Sequence, residues 1–193
     1  KHISNNSRNN VIAIYTDNKA NALLSMFAIL KSGNAYLFVD SKWNADRIKY
    51  ILEDSSIEYI VVDNSSINKH DFKKDFINLD LIDFSRTSIK SSDVHISSHD
   101  LAYVIYTSGS SGNAKGVLLT HGNLFNSTRQ RVDYYLDPVE KFLLLSPLSF
   151  DSSIAGIYWT IATGGTLTLL DTYDIPTTCK IISDFKITHL LSI

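Results

Sequence analysis

Short β-branched runs alternate with helical segments along the first third of the chain, and that alternation leaves few folds open. Asn10–Thr16 (NVIAIYT) reads as a buried strand. Asp17 or Asn18 can cap the next segment, where Ala20, Leu23, Leu24, Phe27 and Leu30 recur at helical spacing until Gly33 closes the run. Ala35–Val39 (AYLFV) is strand again, Asn44–Asp54 is a second helix with Ile48, Ile51 and Leu52 on one face, and Ile57–Val62 (IEYIVV) is a third strand. Strands joined by helices at these lengths predict an α/β fold of βαβ units, with mostly parallel β-sheets covered by helices on both faces.

Between Ile82 and Asp100 the sequence turns to Ser, Thr, Asp and His without periodicity. This predicts a surface connection and not a domain boundary, because strand sequence returns directly at Leu101. From there the order is strand (LAYVIY), polar loop (TSGSSGNAKG, Thr107 to Gly116), strand (VLLT) and a helix from about Gly122 to Leu136. Phe142–Leu145 is a strand, and Phe150-Asp151-Ser152-Ser153 opens a helix that Gly164-Gly165 ends. A strand over Thr166–Leu170, a helix near Asp174–Phe185 and a strand beginning at Thr188 follow. The last apolar run has no cap and no polar tail. We therefore expect a polar N-terminal segment over 1–10 and a single domain over 11–193 that is truncated at its C-terminus. No internal repeat is visible.

Composition narrows the function classes. The 193 residues are 44% apolar and 20% charged with a formal net charge of −2, and Lys and Arg are scattered. Nucleic acid is not an expected partner, since it needs a basic face. Cys179 stands alone, which excludes a disulfide framework and favours a buried structural thiol over a nucleophile. The six His residues show no metal-ligand spacing, so no metal site is expected in the protein itself. No apolar run is long enough for a membrane span and Lys1–Asn10 is not a signal peptide, so the expected setting is cytoplasmic.

The most informative stretch is Thr107-Ser108-Gly109-Ser110-Ser111-Gly112-Asn113-Ala114-Lys115-Gly116. Its three glycines permit tight turns with amides pointing inward, its hydroxyls add donors and Lys115 adds a point charge, which together suit an anion. It is not a Walker loop: Ala114 stands where the second Gly belongs, and Gly116 follows Lys115 where Ser or Thr would hold magnesium. On composition alone a flexible Gly/Ser hairpin serves equally well.

Leu101–Leu124, LAYVIYTSGSSGNAKGVLLTHGNL, closely resembles the signature segment of the adenylate-forming superfamily, which holds nonribosomal adenylation domains, acyl- and aryl-CoA synthetases and luciferases. Ser111 stands where Thr is usual, and Asn113-Ala114 where a basic residue and Pro are usual. Leu30–Ser55 resembles an upstream structural motif most characteristic of nonribosomal adenylation domains, with Asn44 for a usual Pro. Phe150–Trp159, FDSSIAGIYW, resembles the substrate-side motif. Together the likeness runs from about Val11 to the end.

The resemblance implies the partial N-terminal subdomain of an adenylate-forming enzyme, a ligase-type activity that turns an amino acid into its aminoacyl-adenylate. It implies ATP with Mg2+ and, in the intact assembly, a phosphopantetheine carrier domain. Thr107, Ser108, Gly109, Ser110, Ser111, Gly112 and Lys115 would hold the ATP phosphates. Asp151 would pair with the α-ammonium of the substrate, and Phe150, Ser152 and Ala155 would line its pocket. An Asp opening a helix is also an ordinary N-cap, a role Ser152 or Ser153 could take over, and Phe150 could be core packing. Ala155 is small where a bulky aromatic is common, and Gly156 replaces a frequent Glu, both suggesting a differently shaped pocket. The adenine motif, ribose-binding Asp, hinge and catalytic lysine would lie beyond Ile193, so no catalytic residue is assigned here and the isolated chain is expected to be a poor catalyst. Two other readings stay open, an acyl- or aryl-CoA ligase fragment and a non-catalytic fragment.

Overall fold

The computed structural model describes residues 9–69, 72, 74–86, 94–108, 114–170 and 173–191. It forms two compact units, Lys1–Gly122 and Asn123–Ile193.

In the first unit the alternation read from the sequence becomes strand β1 (Val11–Ile14), helix α1 (Lys19–Lys31), β2 (Ala35–Phe38), helix α2 (Ala45–Asp54) and β3 (Tyr59–Val62). Strand β4 (Asp75–Asn78) follows, then β5 (Leu101–Ser108) and β6 (Ala114–Thr120). They form one sheet in the order β4-β3-β1-β2-β5-β6, parallel throughout except that β6 runs antiparallel to β5. The chain goes from β1 outward to β2, then back across β1 to β3. Right-handed crossovers in opposite directions put α1 and α2 on opposite faces. The core agrees. Ala13, Tyr15, Leu37 and Val39 pack with Ile48, Ile51 and Leu52 of α2, while Ile12, Ile14, Tyr36 and Phe38, which alternate with them, are buried as well. Burial on both faces is why these strands read as unbroken apolar runs.

Two expectations need correction. The buried face of α1 is Ala22, Ser25, Met26, Ile29 and Leu30, whereas the predicted Leu24 is 49% exposed. Ala20 is exposed too, with Leu23 and Phe27 half-buried. The sequence KANALLSMFAILK is apolar almost all round, so its periodicity does not choose a side. Strand β4 has no counterpart in the sequence analysis: four residues, DFIN, carry no periodic signal, and only pairing with β3 makes them a strand. The stretch 82–100 is a connection as expected over its described part. Its turn at Ser97–Asp100 accepts the first amides of the next helix, His121 N–H to Asp100 O at 2.9 Å and Gly122 N–H to Ser98 O at 2.8 Å.

The second unit holds most of helix α3 (His121–Tyr134), then β7 (Lys141–Leu144), α4 (Asp151–Ala162), β8 (Thr166–Leu169), α5 (Ile175–Phe185) and β9 (His189–Leu190). The strands are parallel in the order β8-β7-β9. Helix α4 ends as the glycine pair predicts. Gly164 takes φ +74°, the Gly165 amide reaches Thr160 O at 2.8 Å and the Gly164 amide reaches Ile161 O at 3.1 Å, so the last turn's carbonyls are satisfied. Cys179, expected to be buried, is exposed on α5, whose described residues include no buried one.

Candidate functional site

Strands β1, β2, β3 and β5 run parallel, so their carboxyl ends share one edge, where α/β sheets present ligand contacts. The β5–β6 hairpin rises from that edge. Residues 109–113 lie outside the described residues, so the predicted contacts of Gly109, Ser110, Ser111 and Gly112 are not placed. The strands reach further than expected: Thr107 and Ser108 belong to β5, and Lys115 and Gly116 to β6, with Thr107 opposite Lys115 and Ser108 opposite Ala114. Lys115 is thus a strand residue beside the loop. Its side chain is exposed and has no hydrogen bond or ion pair with any described residue.

Gly116 has a different role from the one its place in the motif suggests. It has no positive φ. It lies directly opposite Tyr106, and a Cβ there would stand 3.1 Å from the Tyr106 ring. That ring crosses the hairpin and donates its hydroxyl to Asp54 Oδ2 of α2 at 2.6 Å. Burial first, and the Asp54 carboxylate second, push the Tyr106 pKa well above that of a free phenol. One turn earlier on the same helix, the Tyr50 hydroxyl donates to Ala114 O at 3.1 Å. Sequence reasoning missed Tyr50, Asp54 and Tyr106, since nothing in their spacing announces contacts across 52 or 64 positions.

In the second unit the polypeptide leaves the carboxyl end of β7 and enters α4 through Pro147–Phe150, with the Phe150 amide bonded to Pro147 O at 3.0 Å. Phe150 holds the N-cap position with extended backbone and no side-chain cap bond, so Asp151 is the first helical residue. The N-cap role weighed for Asp151 is therefore corrected: its side chain caps nothing. Neither does Ser153, whose Oγ donates back to Phe150 O at 2.6 Å. Asp151 is exposed and has no hydrogen bond or ion pair with any described residue. A carboxylate in the first turn is favoured by the helix dipole and needs no protein cation.

Phe150 is 49% exposed, which argues against core packing. Ser152 and Ala155 are half-buried on the same side of α4 as Asp151, while Ser153, Ile154, Gly156, Ile157 and Thr160 are buried. The hydroxyl oxygens of Ser149 and Ser152 are buried without a hydrogen-bond partner among the described residues. At Gly156 a Cβ would stand 2.5 Å from the Phe142 ring of β7. This glycine sets how closely α4 packs on the sheet. Among the described residues no group of three or more His, Cys, Asp or Glu gathers to hold a metal ion.

The family profile described as "AMP-binding enzyme" matches residues 4–193. Bacitracin synthase 2 of Bacillus licheniformis is 33% identical over 190 residues, covering 92% of this chain and 7% of that protein. A crystal structure of a nonribosomal peptide synthetase, FmoA3, superposes with a TM-score of 0.84 at 23% identity, covering 95% of this chain and 20% of that one. The o-succinylbenzoate coenzyme A synthetase of Bacillus subtilis, solved in complex with AMP, gives a TM-score of 0.81 at 20% identity over 95% of this chain and 49% of its own. The two structures establish the fold. The chain thus spans well under two thirds of each of these proteins.

Proposed function

The chain belongs to the AMP-binding enzyme family, and from that membership we propose that it is the N-terminal portion of an amino-acid adenylation domain. The whole domain activates an amino-acid carboxylate with ATP, releasing pyrophosphate and forming the aminoacyl-adenylate, for transfer to a phosphopantetheine carrier domain of a nonribosomal peptide synthetase. The hairpin of the first unit holds the phosphates, with Thr107, Ser108, Gly109, Ser110, Ser111 and Gly112 supplying donors and Lys115 supplying charge. Magnesium arrives with the nucleotide, held mainly by phosphate and water. ATP use makes a cytoplasmic setting part of the same reading, and no described helix is long and apolar enough to cross a membrane.

One observation carries the choice of an amino acid over a plain carboxylic acid: the free carboxylate of Asp151 at the start of α4. The Asp151 carboxylate caps nothing and pairs with no described residue, so it is available to a ligand, and an ammonium leaving water needs an anionic partner. Phe150, Ser152 and Ala155 supply the adjoining pocket wall, and the unpartnered Ser149 and Ser152 hydroxyls offer polar contacts to a ligand. Positioning and charge stabilisation carry most of the catalysis in phosphoryl-type displacements, and the remaining parts of the site come from the rest of the domain. The test is pyrophosphate exchange into ATP by the complete domain, wild type and Asp151→Asn, each with an amino acid and with its deaminated analogue. The substitution should remove most activation of the amine-bearing acid and leave the amine-free one less affected. Equal losses would make Asp151 a scaffold residue and bring the CoA-ligase reading forward.

A further inference from the structure

Strand β5 pairs with β2 only at Tyr103 and Val104. Beyond Val104 the hairpin overhangs the sheet, and β6 is the sheet's outermost strand. A phosphate-binding loop at the tip of an unsupported ribbon would lose the preorganisation that makes backbone donors effective. Within this overhang α2 touches the hairpin twice. Tyr50 donates its hydroxyl to Ala114 O at 3.1 Å on the strand leaving the loop. Asp54 accepts from the Tyr106 hydroxyl at 2.6 Å on the strand entering it. Tyr50 and Asp54 are four residues apart and so lie on one face of α2, while Ile48, Ile51 and Leu52 bury that helix in the core.

We propose that α2 is the buttress of the phosphate hairpin, with Tyr50 and Asp54 as positioning residues that act through Ala114 and Tyr106. The arrangement accounts for three local choices. Ala114 is packed against the core cluster as well as bonded to Tyr50, so the hairpin is fastened at the first described residue after the loop. Gly116 leaves the Tyr106 ring room to reach Asp54. Asp54, at the last turn of α2, accepts from a phenol and not from a cation, so the contact adds no competing positive charge to the hairpin.

The proposal rests on the phosphate-binding reading of the hairpin, and its test separates the two. In the complete adenylation domain, Tyr50→Phe removes one hydroxyl, Asp54→Ala removes the acceptor, and Asp54→Asn retains one. Tyr50→Phe and Asp54→Ala should each lower kcat/KM for ATP about two- to tenfold, the factor a single net hydrogen bond carries. KM for the amino acid should not move, and Asp54→Asn should recover most of the loss. Amide hydrogen exchange of the segment 105–117 should quicken in Tyr50→Phe while the amides of β1 to β3 keep their rates. Unchanged hairpin exchange in Tyr50→Phe, or an amino-acid KM that moves as far as that for ATP, would overturn the proposal. A wild-type domain without any ATP–pyrophosphate exchange would sink the phosphate reading instead, and hydrogen exchange would still decide whether α2 holds the hairpin.

Discussion

The hydroxyl of Thr16 donates to the carboxylate of Asp63, joining the chain just past β1 to the chain just past β3. These neighbouring strands send their connections in opposite directions, β1 toward β2 and β3 toward β4, so a gap opens between their carboxyl ends. Asp63 fills it. Asn21 at the start of α1 donates at 3.2 Å, Ser65 at 2.6 Å and Ser66 at 2.8 Å. Burial alone would raise the Asp63 pKa, but the hydrogen bonds from Ser65, Thr16, Asn21 and Ser66 outweigh it and hold the carboxyl far below the usual range.

Asp63→Ala in the complete domain should therefore cost on the order of 2–4 kcal/mol, because it strands donors around a site that is 3% exposed. The depressed pKa sets the sign of the pH effect. The stabilisation is present above the unfolded-state pKa of about 4 and is lost as pH falls below it toward the folded value. Urea denaturation from pH 7 to pH 3 should show wild type losing stability at the acid end and Asp63→Asn losing less over the same range.

Ser56 ends α2 at φ 51°, with the Ile57 amide bonded to Leu52 O at 3.3 Å, the turn that elsewhere takes glycine. Ser56→Gly removes the left-handed strain and should stabilise by about 0.5–1 kcal/mol. A lower midpoint in urea than wild type would contradict it.

Gly156→Ala should destabilise by about 1–3 kcal/mol through overpacking against Phe142. Adding Phe142→Leu should recover part of that loss, which a double-mutant cycle in thermal or urea unfolding reads directly.

Lys115→Ala should lower ATP–pyrophosphate exchange by roughly 10²–10³ if the side chain is a preorganised phosphate contact. Its freedom from described partners makes the change readable, since no ion pair is lost with it. An unchanged rate would reduce Lys115 to a surface residue of β6.

What the chain's own order of residues determined is the alternation of strands and helices, β4 excepted. Strands buried on both faces demand runs such as VIAI and YIVV, and the Gly164-Gly165 pair marks the end of α4. The Thr, Ser, Gly and Lys of TSGSSGNAKG are legible as a candidate anion site because hydroxyls, glycines and a cation gathered in one short segment are a local property of the sequence. Tertiary structure decided the rest. Helix α1 is apolar on nearly every side, so only packing on β1 and β2 selects Met26 and Ile29 over Leu24 for the core. Gly116 and Gly156 look like loop or pocket glycines until Tyr106 and Phe142 are set against them. Asp151, opening a helix, reads by itself as an N-cap until the backbone puts Phe150 at the cap. In each case the deciding contact lies outside the residue's own element or in how the turn is drawn into the sheet, and periodicity carries no record of either.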